Sequence, residues 1–462
     1  MGDVERLVRQ EGLEGTLGRL YEAGVYLTIE EFKGRRPVVR GSTRFSLARR
    51  DLRNPRAAVH AFARSGGSRG TGMPVPIDLA FIREQSTNAC LMVHARGGGP
   101  SWRKANWTVP GGGAIIMLLI WAGFGRLPSQ WFSQLDPNAS TIPARYRWGA
   151  RWVCGLSALV RRPLPRPRHV PLGDPGPILH WMRDTLGRGE VPLLQTFTSS
   201  AVRLCKAAAE RGVDLRGAQF ILGGEPVTAA RLASIRRAGA DGLAHYGSAE
   251  TGSTMAYGCL SPSWTDDSHV THDLFAFIQP GESRLAPDLS RRALLVTTLR
   301  MRAPLIMLNV SLGDEALVVR KDCGCPFAGR GWTMHLHGIR SFEKLTAGGM
   351  TFLDVDAIRV LEEELPKRFG GGPLDYQLVE EQDRSGRSRI VLNVHPAVGP
   401  LDDEVVVDAF LRALGAGDEA RHVMALSWRQ DGLVRVARIP PVPTATGKIL
   451  HLHRRPGAPA AP

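Results

Sequence analysis

The stretch from Gln219 to Gly252, QFILGGEPVTAARLASIRRAGADGLAHYGSAETG, constrains this chain more than any other. An apolar run, Phe220-Ile221-Leu222, stops at Gly223-Gly224. A helical periodicity follows Pro226, and a second strand-like segment closes on His245-Tyr246-Gly247-Ser248-Ala249-Glu250. Strand, glycine turn, helix and strand, with polar residues where the strands stop, reads as a βαβ unit. In open α/β sheets ligands sit at the strand ends, because loops there aim backbone N–H groups and side chains at one crevice. Here the loops offer a flat aromatic, Tyr246, and a carboxylate, Glu250, four positions later. An adenine ring suits the first and a magnesium-bound phosphate the second. An ordinary βαβ unit with unspecialised loops accounts for the same letters, so this stretch alone leaves both readings open.

With 462 residues the chain is long enough for two or three domains, and 43% hydrophobic against 22% charged residues marks it as folded apart from the Pro/Ala tail after Arg455. The net charge of +15 is carried mostly by scattered arginines; the local clusters are Arg161-Arg162 through Arg168, interrupted by prolines, and Arg454-Arg455. That dispersion argues against a nucleic-acid partner and for small anionic ligands such as ATP or CoA, or an acidic carrier protein. Cys90, Cys154, Cys205 and Cys259 are far apart, and only Cys323 and Cys325 are neighbours. The pattern suits buried thiols in a reducing cytoplasm better than a disulfide framework. The first residues, MGDVERLVRQ, hold no apolar core of a secretion signal, and Ala114 to Phe124 is too short to span a bilayer, so neither secretion nor membrane insertion is expected.

Along the chain, Val4 to Phe32 reads as helical and Ser101 to Gly113 as a loop opening the apolar helix Ala114 to Phe124. Thr198 or Ser199 is placed to cap a helix running to Arg211. Arg292 to Leu299 and Leu317 to Val319 are rich in β-branched residues and suggest a β subdomain. In the last quarter, Leu353 to Leu365 and Asp403 to Leu414 read as helices, and Asp375 to Val379, Arg389 to Val394 and Leu433 to Arg438 as strands. This is the content of a small α+β domain.

Four further segments carry chemistry. Ser65 to Pro74, SGGSRGTGMP, offers glycines and hydroxyls that can crowd a phosphate, without the order or the lysine of a P-loop; a flexible surface loop is the competing reading. Asp314, after Asn309-Val-Ser-Leu-Gly313, is a carboxylate placed just after a strand, suited to ribose hydroxyls or to an ordinary turn. Lys448 follows Thr444-Ala-Thr446-Gly447 and either neutralises charge growing on a phosphate or is a solvated lysine. Cys323-Gly-Cys325 with His335 and His337 departs from the CxxC spacing of zinc sites, so zinc is not expected.

Taken together and in this order, GGEPVTAARL, HYGSAETG, LLVTTLRMRAPLIMLNVSLGD, CGCPFAGR, HGIRSFEKLTAGGMTF and PTATGK resemble the adenylate-forming superfamily of acyl-CoA synthetases and ligases, in its phenylacetate-CoA ligase branch. The resemblance covers Phe62 to Leu452. It implies an α/β fold: a large N-terminal domain, 1–340, of mixed sheets flanked by helices with a β subdomain, and a small mobile α+β lid, 341–455, hinged near Glu343-Lys344, before a disordered tail, 456–462. It implies that Ser65, Ser68, Thr71 and Gly72 hold ATP phosphates. Gly223, Gly224, Glu225 and Pro226 would line the adenine, with Tyr246 stacked on it. Gly247, Ser248 and Thr251 complete the nucleotide set, Glu250 would bind Mg2+, and Asp314 and Arg340 the ribose. Lys448 would contact the α-phosphate and the attacking carboxylate, and Glu250 and Lys448 would be the catalytic pair.

The implied reaction joins a carboxylic acid, aromatic on the hint of Trp102, Trp107 and Phe197, to AMP. It then passes the acyl group to CoA or to a carrier-protein phosphopantetheine. Several letters depart from the family pattern: the arginine in SGGSRGTGMP, NVSLGD without tyrosine and arginine, the stretched CGCPFAGR and the isoleucine of HGIR. They leave open a diverged member that activates nitrite toward an arylamine, and a non-catalytic nucleotide-binding homologue.

Overall fold

In the computed structural model, the described residues are 2–48, 50–64, 74–99, 101–109, 111–123, 127–136, 144–282, 285–341, 346–347, 350–351, 357–382, 388–416, 419–430, 432–444 and 447–454. They form two compact units, Met1–Val227 with Ile235–Ile339, and Thr228–Ser234 with Arg340–Pro462. The phosphate-loop residues Ser65, Ser68, Thr71 and Gly72, the hinge pair Glu343-Lys344 and the tail 456–462 lie outside the described residues.

The first unit opens with a helix, Gly2–Glu22, which is interrupted where Gly12 takes φ 75° and ψ 180°. A short helix, Ile29–Phe32, follows, closed by a reciprocal cap between Thr28 and Glu31. The continuous helical reading of Val4 to Phe32 is therefore corrected: a glycine with positive φ breaks it, and Thr28 starts a new turn. Two small hairpins follow, β1 (Val38–Arg40) with β2 (Thr43–Phe45), and β3 (Ala61–Arg64) with β4 (Pro74–Ile77). The expected phosphate loop joins β3 to β4, which pair antiparallel from Ala61↔Ile77 to Arg64↔Pro74.

Twelve strands then share one sheet. Its parallel half contains β5 (Trp102–Thr108), β6 (Gln130–Ser133), β7 (Pro167–His169), β8 (Val191–Phe197), β9 (Gln219–Gly223) and β10 (Asp241–Ser248). Its other half contains β11 (Ser253–Gly258), β12 (Ser268–Val270), β13 (Phe275–Ile278), β14 (Ala293–Thr298), β15 (Val310–Arg320) and β16 (Met334–Ser341). The spatial order is β13-β14-β15-β16-β12-β11-β10-β9-β8-β5-β6-β7. The expected β subdomain is thus a continuation of the main sheet, and the pairing turns from parallel to antiparallel between β10 and β11.

Segment 101–113 is also corrected, because most of it is β5, an inner strand with β8 on one side and β6 on the other. Its tryptophans and glycines read as a loop, yet Trp107 is fully buried and Lys104 nearly so. Inner position satisfies its backbone on both edges, which outweighs the composition. By contrast the apolar runs of β8 (Val191 to Leu194) and β9 (Phe220 to Leu222) are those of parallel strands covered on both faces. The apolar helix Gly112–Ala122 packs Ile116, Ile120 and Trp121 into a core with Ile82, Met92, Leu193 and Ile221.

The second unit holds two small strands, β17 (Thr346–Ala347) and β18 (Met350–Thr351), and a four-stranded sheet, β21-β20-β19-β22. The four strands are β19 (Tyr376–Gln382), β20 (Ser388–Val394), β21 (Val434–Ala437) and β22 (Leu452–Arg454). Helices Asp403–Gly415 and Glu419–Gln430 accompany it, the first capped by the Asp402 carboxylate. Leu378, Ile390, Leu392, Phe410, Leu414 and Trp428 share its core. The helix expected over 353–365 is described from Ala357, and continues through a wide π turn, Val360–Glu364, to Phe369. Helix Glu419–Gln430 and β22 were not foreseen. Among the described residues no helix is long and apolar enough to cross a membrane.

Candidate functional site

The parallel register lines up the ends of three neighbouring strands. Phe197 of β8 pairs with Gly223 of β9, and Gly223 with His245 of β10. This row is the carboxyl edge of the sheet beside the switch of strand direction, where a crevice is expected to form. Gly223 is required by close approach, since a Cβ there would stand 2.8 Å from His245 Nδ1. Gly224 takes φ 73° and turns the chain out of the sheet, and Pro226 leads it toward the helix Ala229–Arg237.

Glu225 has a local task. Its carboxylate accepts the Ser199 backbone N–H at 2.7 Å and the Ser199 hydroxyl at 3.0 Å. The helix begins at Thr198 with Phe197 before it and no side-chain cap of its own, so the expected Thr198 or Ser199 cap is corrected. A carboxylate from the next loop takes that place, satisfying the Ser199 N–H in the first helical turn and facing the positive end of the helix. In this way Glu225 ties the β9 loop to the helix after β8.

Tyr246 and Asp314 come together although 68 residues separate them: the Tyr246 hydroxyl donates to Asp314 Oδ2 at 3.0 Å. Two irregularities aim them. The β10–β11 register shifts between Tyr246 and Gly247. On β15, Leu312, Gly313 and Asp314 lie between Ser311, opposite Leu295, and Glu315, opposite Ala293, while β14 has only Leu294 in that interval. Gly313 takes φ 84° in the second bulge. Such bulges redirect side chains at the edge of a site. Asp314 therefore lies within a strand, not just after one as expected.

Burial raises the Tyr246 phenol well above 10, and the nearby Asp314 and Glu250 carboxylates raise it further. It stays a neutral donor at any working pH. Glu250 is half-buried and has no hydrogen-bond or ion-pair partner among the described residues. The loop carrying it is held by Ser248 and Thr251: the Thr251 N–H reaches Ser248 Oγ at 3.2 Å, and its hydroxyl reaches the Ser248 carbonyl at 2.9 Å. Sequence reasoning missed His245, whose Nε2 lies 2.6 Å from Thr254 Oγ1 and which burial lowers to about 4, so the imidazole is neutral.

Arg340 lies near the end of β16, where the chain passes into the second unit. Lys448 belongs to the second unit, on a turn in which the Lys448 N–H donates to Thr444 Oγ1 at 3.1 Å and the Thr444 N–H to the Lys448 carbonyl at 2.8 Å. Trp102 and Trp107 are core residues, not pocket walls: Trp102 packs with Met92 and Leu193, and the Trp107 indole N–H donates to the Val170 carbonyl at 2.9 Å. Phe197 alone of the three stands in the strand-end row.

No protein-family model matches the chain, and no curated protein matches it in sequence. Among solved structures it is similar to 2-hydroxyisobutyryl-CoA ligase in the postadenylation state, in complexes with R3-HIB-AMP and with 2-HIB-AMP. Each gives a TM-score of 0.52 at 15% identity, covering 98% of this chain and 88% of that one. An anthranilate CoA ligase in complex with anthranoyl-AMP is similar at a TM-score of 0.49 and 12% identity, covering 86% of this chain and 66% of that one. On the first two likenesses, this chain has the fold of 2-hydroxyisobutyryl-CoA ligase.

Proposed function

We propose that the protein is an AMP-forming ligase that adenylates a carboxylic acid at the expense of ATP and passes the acyl group to a thiol, with CoA as the acceptor. The observation that carries this reading is the hydrogen bond from Tyr246 to Asp314, which sets an aromatic face beside a carboxylate at the carboxyl edge of the sheet. The shared fold supports it, since the similar structures hold acyl-AMP compounds.

In this reading Tyr246 stacks on the adenine, while Gly223 and Gly224 leave room for its edge and Glu225 and Pro226 keep that turn in place. Gly247, Ser248 and Thr251 shape the loop beneath it, and Asp314 and Arg340 take the ribose hydroxyls. Ser65, Ser68, Thr71 and Gly72 hold ATP phosphates. A carboxylate oxygen of the acid forms a bond to the α-phosphorus while the bond from that phosphorus to the bridging oxygen breaks, releasing pyrophosphate. Lys448 neutralises charge on the α-phosphate oxygens during this displacement. The acceptor thiol, as thiolate, then attacks the acyl carbon and AMP leaves.

Glu250 fits a Mg2+ ligand because it is a half-buried carboxylate near Tyr246 without a hydrogen-bond or ion-pair partner among the described residues. Bound there, the ion would lower the charge on the triphosphate oxygens. Phe197 at the strand ends favours an acid with a flat apolar body, which makes an aromatic carboxylic acid the first substrate class to try. The test is AMP release over a panel of aliphatic and aromatic acids, and nitrite with an arylamine, each with and without CoA. Acid-dependent AMP release followed by a thioester supports the reading. Release that requires nitrite and an arylamine, or ATP binding with no AMP under any condition, overturns it.

A further inference from the structure

The turn after β15 carries Cys323 and Cys325, whose spacing alone argues against a metal. The fold, however, brings donors from two other places. Cys259 follows β11 directly, and His269 is the middle residue of β12. Cys259 Sγ lies 3.5 Å from Cys323 Sγ, and His269 Nε2 lies 3.6 Å from Cys323 Sγ and 3.2 Å from Cys325 Sγ. All four donor atoms fall within 4.8 Å of one another. A tetrahedral ion with bonds of about 2.3 Å to sulfur and 2.0 Å to nitrogen sets its donors roughly 3.5–3.8 Å apart. The observed separations are close to those edges.

The surroundings suit a metal better than packed thiols. His269 Nδ1 lies 2.5 Å from the Trp332 carbonyl, which can only accept, so the proton sits on Nδ1 and the lone pair of Nε2 faces the sulfurs. Metal-bound histidines are commonly fixed in this way by the other ring nitrogen. The Ser261 N–H donates to Cys259 Sγ at 3.3 Å, and backbone N–H groups of Leu260, Phe327 and Ala328 are directed at Cys325 Sγ. N–H groups converging on sulfur stabilise thiolates. A second grouping, Cys259 with Asp267 and His335, is less apt: Asp267 is engaged by the Lys321 ammonium at 2.6 Å and by His335 Nδ1 at 2.6 Å. The His335 ring stands 4.0 Å from that of His269, so this pair borders the site from outside.

We infer that Cys259, His269, Cys323 and Cys325 form a structural zinc site. Three sulfurs and one imidazole in a tetrahedral set select zinc, and four protein donors leave no position for a substrate. The ion would pin the end of β11, β12 and the β15–β16 connection to one another. This inference does not depend on the proposed reaction.

The test is metal analysis of the full-length protein, purified under reducing conditions without chelator or histidine tag. About one zinc per chain, retained through dialysis, is expected. The double variant Cys323→Ser with Cys325→Ser should lose it, whereas Cys205→Ser, a buried thiol outside the cluster, should keep it. Cobalt substitution of the wild-type protein should give the thiolate charge-transfer and strong visible bands of a tetrahedral centre. Native protein that binds neither metal, zinc retained by the double serine variant, or a Cys259–Cys323 disulfide found by mass spectrometry would each overturn the inference. The wild-type measurement decides even if the serine variants do not fold.

Discussion

Tyr246 and Asp314 are the pair on which the reading turns, and they separate two contributions to ATP recognition. Tyr246→Phe keeps the stacking ring but removes the hydrogen bond to Asp314. It should raise the KM for ATP only a few fold. Asp314→Ala removes a charged acceptor worth about 1.5–3 kcal/mol, and so should raise it roughly 10- to 100-fold with little change in unfolding midpoint. Equal effects from the two variants would mean that Asp314 serves only to hold the tyrosine. His245 bears on stability instead. Its folded value of about 4 lies below the ordinary 6.5, so the unfolded chain takes up the proton first. Its contribution is present above pH 6.5 and is lost as pH falls toward 4, amounting to about 3 kcal/mol over that window. His245→Gln should flatten this acid slope in urea titrations run at pH 4.5 and 7; an unchanged slope would show that other groups carry it.

At the scale of elements, what the letters revealed depended on whether a signal was local. The β9–helix–β10 unit was legible because an apolar run, a glycine pair and helical periodicity all lie within Gln219 to Gly252. β5 was not, because its strand character comes from neighbours on both sides that no window of sequence contains. The helix at Thr198 was found, but its cap was assigned to the wrong side chain, since Glu225 arrives from a different loop. Glu225→Ala should therefore destabilise the first unit by about 1–2 kcal/mol, as the loss of a helix cap does, read as a lower urea midpoint. If the midpoint holds and only the KM for ATP rises, Glu225 belongs to the nucleotide site rather than to the helix. The same distinction explains the cysteines: CxC spacing says nothing of Cys259 and His269, which the sheet carries to the same place.

For the whole molecule, six motifs in order pointed to a fold that the two complexes of 2-hydroxyisobutyryl-CoA ligase share at 15% identity. The expected nucleotide and catalytic residues lie far apart in the chain, Tyr246 and Asp314 in the first unit and Arg340 and Lys448 in the second. Lys448→Ala should leave ATP affinity nearly intact and slow adenylation by about 10²- to 10³-fold, the usual loss when one group stabilising transition-state charge is removed. The substrate acid was not legible, because two of the three aromatics that suggested it, Trp102 and Trp107, are spent in the core. The most direct measurement is exchange of labelled pyrophosphate into ATP, run for the wild-type protein and for Asp314→Ala and Lys448→Ala with the best acid of the panel. The expected result is acid-dependent exchange in the wild type, weakened in the first variant chiefly at low ATP and nearly abolished in the second at any ATP concentration. Exchange that needs no acid, or that persists unchanged in both variants, would contradict the account.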